Sequence, residues 1–344
     1  MPPEGDYVLR PAREGDGEAL TALAAASADT GSVQLAVRYL RDPFEAWRTL
    51  HPDSEWVLAE TKDGLVVGGA IVVFGEAEIE GEIRRCARLN NLMVHADYRR
   101  RGIATALTEW RLERAGPDAV IAAGIQTGNE GSFANARKWA TQIFGTLVLP
   151  GFRVGRHGAP RGLEIREPRE DSEWEEAAAG LDAFESGWNL RIPETASSLR
   201  GRAGRAPFGE RVQRQLLALE GGRVVGGCEL FEGARLQSIV VEHVPPVLRA
   251  LNLMVRLLPR EGVLRTASVS RLWHAPERAD VGRALWAYGR SAAAGTSNAI
   301  GTQFDPRGPL GQLVPMRPWT VKGRLAVAVR SPVRLSEDRL LAPP

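Results

Sequence analysis

Leu92-Met93-Val94-His95-Ala96-Asp97-Tyr98-Arg99-Arg100-Arg101-Gly102-Ile103-Ala104-Thr105-Ala106-Leu107 reads as the end of a strand, a tight basic turn and the start of an amphipathic helix. Three arginines stand where the helix macrodipole already places about half a positive charge. That arrangement is unfavourable unless an anion shares the site. Unpaired backbone N–H groups at a helix start form a phosphate cradle. Gly102 and Ala104 offer little or no side chain to keep a phosphate from the backbone. The stretch is therefore expected to bind a phosphate-bearing ligand; the alternative is a solvated basic turn before a surface helix.

Around it the pattern predicts an α+β unit with a mixed, mostly antiparallel sheet. A strand at Val8–Arg10 leads to a helix over Gly17–Ala26. Two β-rich runs, Glu55–Glu60 and Leu65–Phe74, are joined by the turn Lys62-Asp63-Gly64. A strand at Arg84–Val94 then feeds a helix from Gly102 to Ala115. A strand at Ala119–Ile125 and a helix at Ser132–Ile143 follow.

The chain also repeats itself. Leu9-Arg10-Pro11-Ala12-Arg13-Glu14 returns as Ile165-Arg166-Glu167-Pro168-Arg169-Glu170, and Val66-Val67-Gly68-Gly69 as Val224-Val225-Gly226-Gly227. His95-Ala96 is echoed by His274-Ala275, Ala106-Leu107 by Ala284-Leu285, and Gly124-Ile125-Gln126 by Gly301-Thr302-Gln303. The order is kept, with one insertion of roughly 20 residues in the second copy before residue 274. The boundary falls in the Gly/Pro-rich Leu149–Gly162. Two tandem domains are expected, 1–155 and 156–344.

Residues 92–107 carry a family resemblance. Arg99-x-x-Gly102-x-Ala104, preceded by Leu-x-Val and Tyr98, resembles the coenzyme A pyrophosphate motif of the GNAT acyltransferase superfamily, with Ala96 where proline is usual. The resemblance covers about residues 7–155 and continues over 163–333 only as architecture. It implies two tandem GNAT-like domains, each a mixed, mostly antiparallel sheet flanked by helices. It implies acetyl-CoA as cosubstrate, with no metal. Backbone groups of Leu92, Met93 and Val94 would pair with the pantetheine arm as with an added strand. The amides from Arg100 to Thr105, including Arg101, Gly102, Ile103 and Ala104, would hold the pyrophosphate, with Arg99 opening the motif. An N–H near Val94 would polarise the thioester carbonyl. Asn129 and Asn135 stand where the family often places asparagines against the cofactor; helix capping is the alternative for both.

The implied reaction is direct attack of a neutral amine on the thioester. The family's tyrosine acid is missing, because no tyrosine lies between Asn129 and Gly145. Trp139 is the bulky residue there, and Ser132 or Thr141 would have to supply a hydroxyl. Glu82 is the candidate base, acting through water, with Glu78 and Glu80 as competitors. Where relatives carry a glutamate eleven residues before Arg99, this chain has Arg88, which suggests an anionic group on the substrate. His95 reads as a turn residue and Cys86 as a small buried hydrophobe. Phe44, Trp47 and Phe133 are candidates to line an acceptor pocket.

In the second copy Ala275-Pro276-Glu277-Arg278-Ala279-Asp280-Val281-Gly282 replaces the arginine–glycine turn. Arg99 aligns with Glu277 and Gly102 with Asp280, and two carboxylates there would repel a pyrophosphate. The second copy is expected to bind no coenzyme A and to wall the acceptor site. Its Arg200-Gly201-Arg202-Ala203-Gly204-Arg205 reads as a basic, solvated loop.

Bulk properties bound the alternatives. The 344 residues are 44% apolar and 25% charged with a net charge of +2, ordinary for globular domains. A pI near 8.7 with no aromatic-studded basic face argues against nucleic acid. Cys86 and Cys228 alone build neither a disulfide framework nor a zinc site. No leader or membrane span is apparent, and a cytoplasmic monomer or homodimer is expected. The favoured function is acetyl transfer to a primary amine of a small molecule. The tandem layout resembles mycothiol synthase-like proteins, whose second half is the working one. The alternatives are a protein N-acetyltransferase and an acetyl-CoA-binding sensor or partner module without turnover.

Overall fold

The computed structural model describes residues 7–27, 34–155, 162–244 and 261–343, together with 246, 252, 258 and 259. In chain order the first half holds β1 (Val8–Pro11), α1 (Gly17–Ala26), β2 (Gln34–Tyr39), α2 (Pro43–Leu50), β3 (Ser54–Glu60), β4 (Val66–Ile79), β5 (Glu82–Val94), α3 (Ile103–Ala115), β6 (Val120–Gln126), α4 (Glu130–Ala136) and β7 (Gln142–Arg153). The second holds β8 (Glu164–Arg166), α5 (Asp171–Phe184), α6 (Ala196–Gly204), β9 (Gln213–Glu220), β10 (Arg223–Phe231), β11 (Gln237–His243), β12 (Val263–Leu264), β13 (Thr266–His274), α7 (Ala279–Ala292), β14 (Ala299–Gly301), α8 (Leu310–Leu313) and β15 (Lys322–Arg330).

Twelve strands form one mostly antiparallel sheet in the order β1-β3-β4-β5-β6-β15-β7-β14-β13-β10-β9-β8. The order is close to a palindrome. Each half supplies an edge strand, a hairpin and two further strands, and the halves meet at the antiparallel pair β7–β15. That pair is exchanged: β15, from the second half, lies against β6 of the first, and β7 lies against β14 of the second. A smaller sheet, β12-β11-β2, also joins the halves, because β2 precedes and β11 follows the boundary.

The hairpin strands explain the layering. Side chains alternate between faces along β3, so Trp56 and Leu58 pack on Leu20 and Leu23 of α1, while Val57 and Ala59 pack with Ile103 and Leu107 of α3. β4 is buried almost throughout because both its faces are covered. Its Gly68-Gly69 pair is there for closeness. A Cβ on Gly68 would stand 2.6 Å from Ile103 Cγ2, and one on Gly69 would stand 3.2 Å from Leu23 Cδ2. Gly226 repeats the device against Val281 at 2.7 Å and Leu285 at 3.1 Å.

Several sequence expectations change here. The helix expected over Ser132–Ile143 ends at Ala136, because Thr141 N bonds Val329 O of β15 and draws the chain into β7. The expected basic loop at Arg200–Arg205 is mostly helix α6. Thr195 and Ser198 cap it reciprocally, and Leu199 and Ala203, one turn apart, bury its inner face. β2 and α2 went unanticipated. Gly158 and Pro160, part of the expected boundary, lie outside the described residues.

The repeat survives with shifts. Val94 pairs with Gly68 as His274 pairs with Gly226, and the amides of His95 and Ala275 bond Val67 O and Val225 O respectively. His95 therefore corresponds to Ala275, one place from the sequence match. Ala122, not Gly124, corresponds to Gly301 across the parallel ladders.

Candidate functional site

The parallel ladder between β5 and β6 covers only Cys86–Arg88 against Val120–Ala122. β6 then continues along β15, and Leu89–Val94 of β5 stay paired only with β4. The register of β4 and β5 shifts between Gly69 and Ile71, and Asn91 takes φ 47° at that bulge. The result is a wedge between two splayed strands with a backbone edge along Leu92, Met93 and Val94 that pairs with no further strand among the described residues. Leu92 and Val94 anchor in the α3 side of the core and Met93 in the α1 side.

Arg111 holds the bulge from behind. Its guanidinium, almost wholly buried, donates to Ile71 O at 3.2 Å, Asn90 O at 3.3 Å and Leu107 O at 3.2 Å. It faces no carboxylate among the described residues, and burial lowers its pKa to about 9.

The turn after β5 is shaped by its own side chains. His95 accepts from Asp97 N at 3.3 Å and so opens the turn. Arg99 donates to Val94 O and Ser27 O, and Arg101 lies 4.8 Å from the Tyr98 ring centroid. Arg100 (φ 64°) and Gly102 (φ 81°) are both left-handed, the second at the N-cap of α3. Among the described residues no side chain caps this helix, and its first helical bond is Ala106 N to Gly102 O. The amides of Ile103, Ala104 and Thr105 have no acceptor among the described residues. Lys138 Nζ stands above them, 2.9 Å from Thr105 Oγ1. These donors, the glycine N-cap and the adjoining cations fit a pyrophosphate.

The same place in the second half is closed. Ile103 and Val281 occupy equivalent positions against Gly68 and Gly226, so Gly102 corresponds to Asp280. The second turn is two residues shorter, since Ile103 follows His95 by eight positions and Val281 follows Ala275 by six. Asp280 pairs with Arg278 at 3.1 Å and accepts from the Val281 amide, supplying its own anion to the helix start. Leu313 of α8 presses on Gly282.

A cavity of about 680 Å³ opens between the halves, lined by Tyr39, Trp47, His51, Arg88, Asn91 and Arg271 among others. Asn91 and Arg271 (φ 49°) are counterparts, since β10 and β13 carry the same bulge. Burial lowers the His51 pKa to about 4, with Arg88 and Arg205 pushing the same way, so it is neutral at pH 7. Burial raises Tyr39 to about 12 and Cys86 to about 11, so both keep their protons. A second, largely apolar cavity of about 590 Å³ lies in the β13–β14 wedge and shares Arg88 and Arg271 with the first. Burial raises its Glu185 to about 7.

The structure disperses the other expected residues. Glu82 lies at the far end of the β4–β5 hairpin, exposed and paired with Arg84, about 20 Å along the strand from Arg88. Glu78 is taken by Arg191 (2.8 Å) and Glu80 by Asn189 (2.6 Å), both ties to the second half. Ser132 N bonds Asn129 Oδ1, so Asn129 caps α4; Asn135 Nδ2 donates to Thr108 Oγ1 at 2.8 Å and locks α4 to α3. Thr141 bonds Val329 O of β15, and Trp139 packs into the core. Trp47 reaches the cavity, whereas Phe44 and Phe133 pack against apolar core clusters. Tyr39, His51 and Lys138 were missed. The alternation of Val37 and Tyr39 with Ala36 and Arg38, and the rarity of lysine, were the available signals.

Among the described residues there is no cluster of metal-ligating side chains, and no helix is long and apolar enough to cross a membrane. Residues 21–153 match the acetyltransferase (GNAT) family model. By sequence alone, no curated protein matches the chain. Similar solved structures include Saccharomyces cerevisiae N-myristoyltransferase with bound myristoyl-CoA (11% identity, TM-score 0.65, covering 99% of this chain and 85% of that one). A GCN5-related N-acetyltransferase from Sphaerobacter thermophilus (13%, TM-score 0.58, 98% and 99%) is another. A tandem GNAT protein from the clavulanic acid biosynthesis pathway (15%, TM-score 0.58, 96% and 100%) is a third. The wedge, the glycine-started helix and the family match agree: residues 21–153 match the GNAT family within a chain that has a tandem GNAT fold.

Proposed function

We propose that this protein transfers an acetyl group from acetyl-CoA to a primary amine of a small molecule, with residues 1–155 holding the cofactor and residues 156–344 walling the acceptor cavity. The observation that carries the reading is the uncapped start of α3 beside the open edge of β5. Leu92–Val94 would hold the pantetheine arm, and the amides around Gly102, with Lys138, the pyrophosphate. The cofactor supplies an activated acyl group as a thioester. The protein's own residues do the rest. Neutral His51 is available to accept a hydrogen bond or proton from an attacking amine, and Tyr39 keeps a phenolic proton to give. Cys86, protonated at neutral pH, is a poor nucleophile, which favours direct attack without a covalent enzyme intermediate. The built-in anion Asp280 and the shortened turn argue against cofactor binding in the second half.

Calorimetric titration with acetyl-CoA, followed by thiol release in the presence of primary amines, tests this. One site per chain and amine-dependent thiol release are expected. Two sites would overturn the assignment of the second half. No binding would overturn the reading altogether, and binding without turnover would leave a sensor.

A further inference from the structure

We propose that the acceptor carries an anionic group, a carboxylate or a phosphate, on the same small molecule as its reactive amine, and that Arg88 receives it. This rests on the acyl-transfer reading above and adds the chemical class of the acceptor.

The argument is a charge inventory of the cavity. Arg202 and Arg271 form a closed quartet with Glu194 and Glu229. Arg202 meets Glu194 at 2.7 Å and Glu229 at 3.0 Å; Arg271 meets them at 2.9 Å and 3.3 Å. Two cations and two anions cancel. Arg41 is spoken for at the surface by Glu210, at 3.0 Å. Asp53 and Glu76 are exposed residues of the lining.

Two cations are left over. Arg205 donates to Leu50 O and has no ion pair among the described residues. Arg88 makes neither a hydrogen bond nor an ion pair among them, although it lines both cavities. Burial weakens its hold on its proton, and the charges of Arg271 and Arg202 act the same way, while Cys86 and Glu194 act against them. Arg88 is half-buried, with its guanidinium in the lining of both cavities, so a ligand there can supply the partner the protein does not. Its planar fork matches a carboxylate or a phosphate oxygen pair, and no neutral amine offers such a partner.

Position then limits the size of the ligand. Arg88 is the last β5 residue paired with β6, opposite Ala122. It stands three residues before Asn91 at the bulge, about 10 Å along the strand. An anion at Arg88 and an amine at the wedge are thus compatible with one metabolite-sized molecule inside about 680 Å³.

The test uses the full chain with acetyl-CoA and paired acceptors, read by thiol release. The pairs are the twenty α-amino acids against their amides, O-phosphoethanolamine against ethanolamine, and glucosamine 6-phosphate against glucosamine. At least one anionic member should show a kcat/KM tenfold or more above its neutral partner, and which series responds identifies carboxylate or phosphate. Arg88→Gln should raise KM for that acceptor tenfold or more and collapse the ratio, while Arg88→Lys restores part of it. Retained acetyl-CoA binding by calorimetry certifies that each variant is folded. Neutral partners turned over equally well, an anion preference that survives Arg88→Gln, or acetyl-CoA binding with no anionic amine acetylated would each overturn the proposal. Loss of acetyl-CoA binding by the wild type would instead strike the underlying acyl-transfer reading.

Discussion

Gly102→Asp writes into the first half the residue that closes the second. Its effects on stability and on cofactor affinity should separate. Gly102 has φ 81°, a left-handed conformation that costs a side-chain-bearing residue roughly 1–2 kcal/mol, aspartate less than most. A carboxylate at the start of α3 recovers about 0.3–1 kcal/mol through the helix macrodipole. The net loss is about 1 kcal/mol, a fall of a few degrees in Tm. Cofactor binding should suffer far more. A carboxylate about 4 Å from a phosphate charge is repelled by about 4 kcal/mol at an effective dielectric of 20, and screening in an exposed turn halves that. Affinity for acetyl-CoA should therefore fall by about thirty- to a thousandfold. Calorimetric titration and thermal unfolding of the same preparations measure both. Binding within about fivefold of wild type, with the fold intact, would refute the placement of the pyrophosphate at this turn. Asp280→Gly should not create a second site, because its turn is two residues shorter.

Three further outcomes follow from packing and titration. Arg111→Met leaves the carbonyls of Ile71 and Asn90 without their buried donor, so chemical denaturation should show a loss of about 1–3 kcal/mol. Gly180→Ala places a Cβ 2.2 Å from two ring carbons of buried Trp273; a cost of about 1–3 kcal/mol, with unchanged acetyl-CoA affinity, is expected. His51 has its folded-state pKa lowered from 6.5 to about 4, so the unfolded chain binds the extra proton between those values. Stability from this residue is full above pH 6.5 and falls as pH drops toward 4, by up to about 3 kcal/mol. Urea melts of wild type and His51→Gln across that range should differ by this slope, and parallel curves would refute it.

What the sequence disclosed was local. Arg99, Gly102 and Ala104 are read correctly as a helix start because turn, N-cap and first turn are adjacent in the chain. The proposed loss of the site in the second copy rests on the single residue Asp280, which is legible in the sequence. The β3–β4 hairpin follows from alternation and the turn at Lys62-Asp63-Gly64, although β4 runs on to Ile79. What stayed hidden depends on distant partners. Glycines and arginines disguised α6, whose inward face only a neighbouring half can reward. Glu78, Glu80 and Glu82 look interchangeable as a run, yet tertiary partners claim the first two and leave the third in solvent. Tyr39 and His51 acquire meaning only when β11 and α6 roof them over.

The exchanged strand has a bearing on how the chain comes into being. The hydrogen bond from Thr141 to Val329 joins residues 188 apart, so during synthesis β6 and β7 leave the ribosome long before the strand that fits between them. Until β15 arrives, two neighbouring sheet edges present unsatisfied amides and carbonyls, and such edges are templates for pairing with other chains. Vectorial folding of the first half can therefore reach only an unfinished sheet. A fragment stopped near residue 155 should be prone to aggregate, and supplying residues 162–343 in trans should rescue it only by threading β15 into that slot.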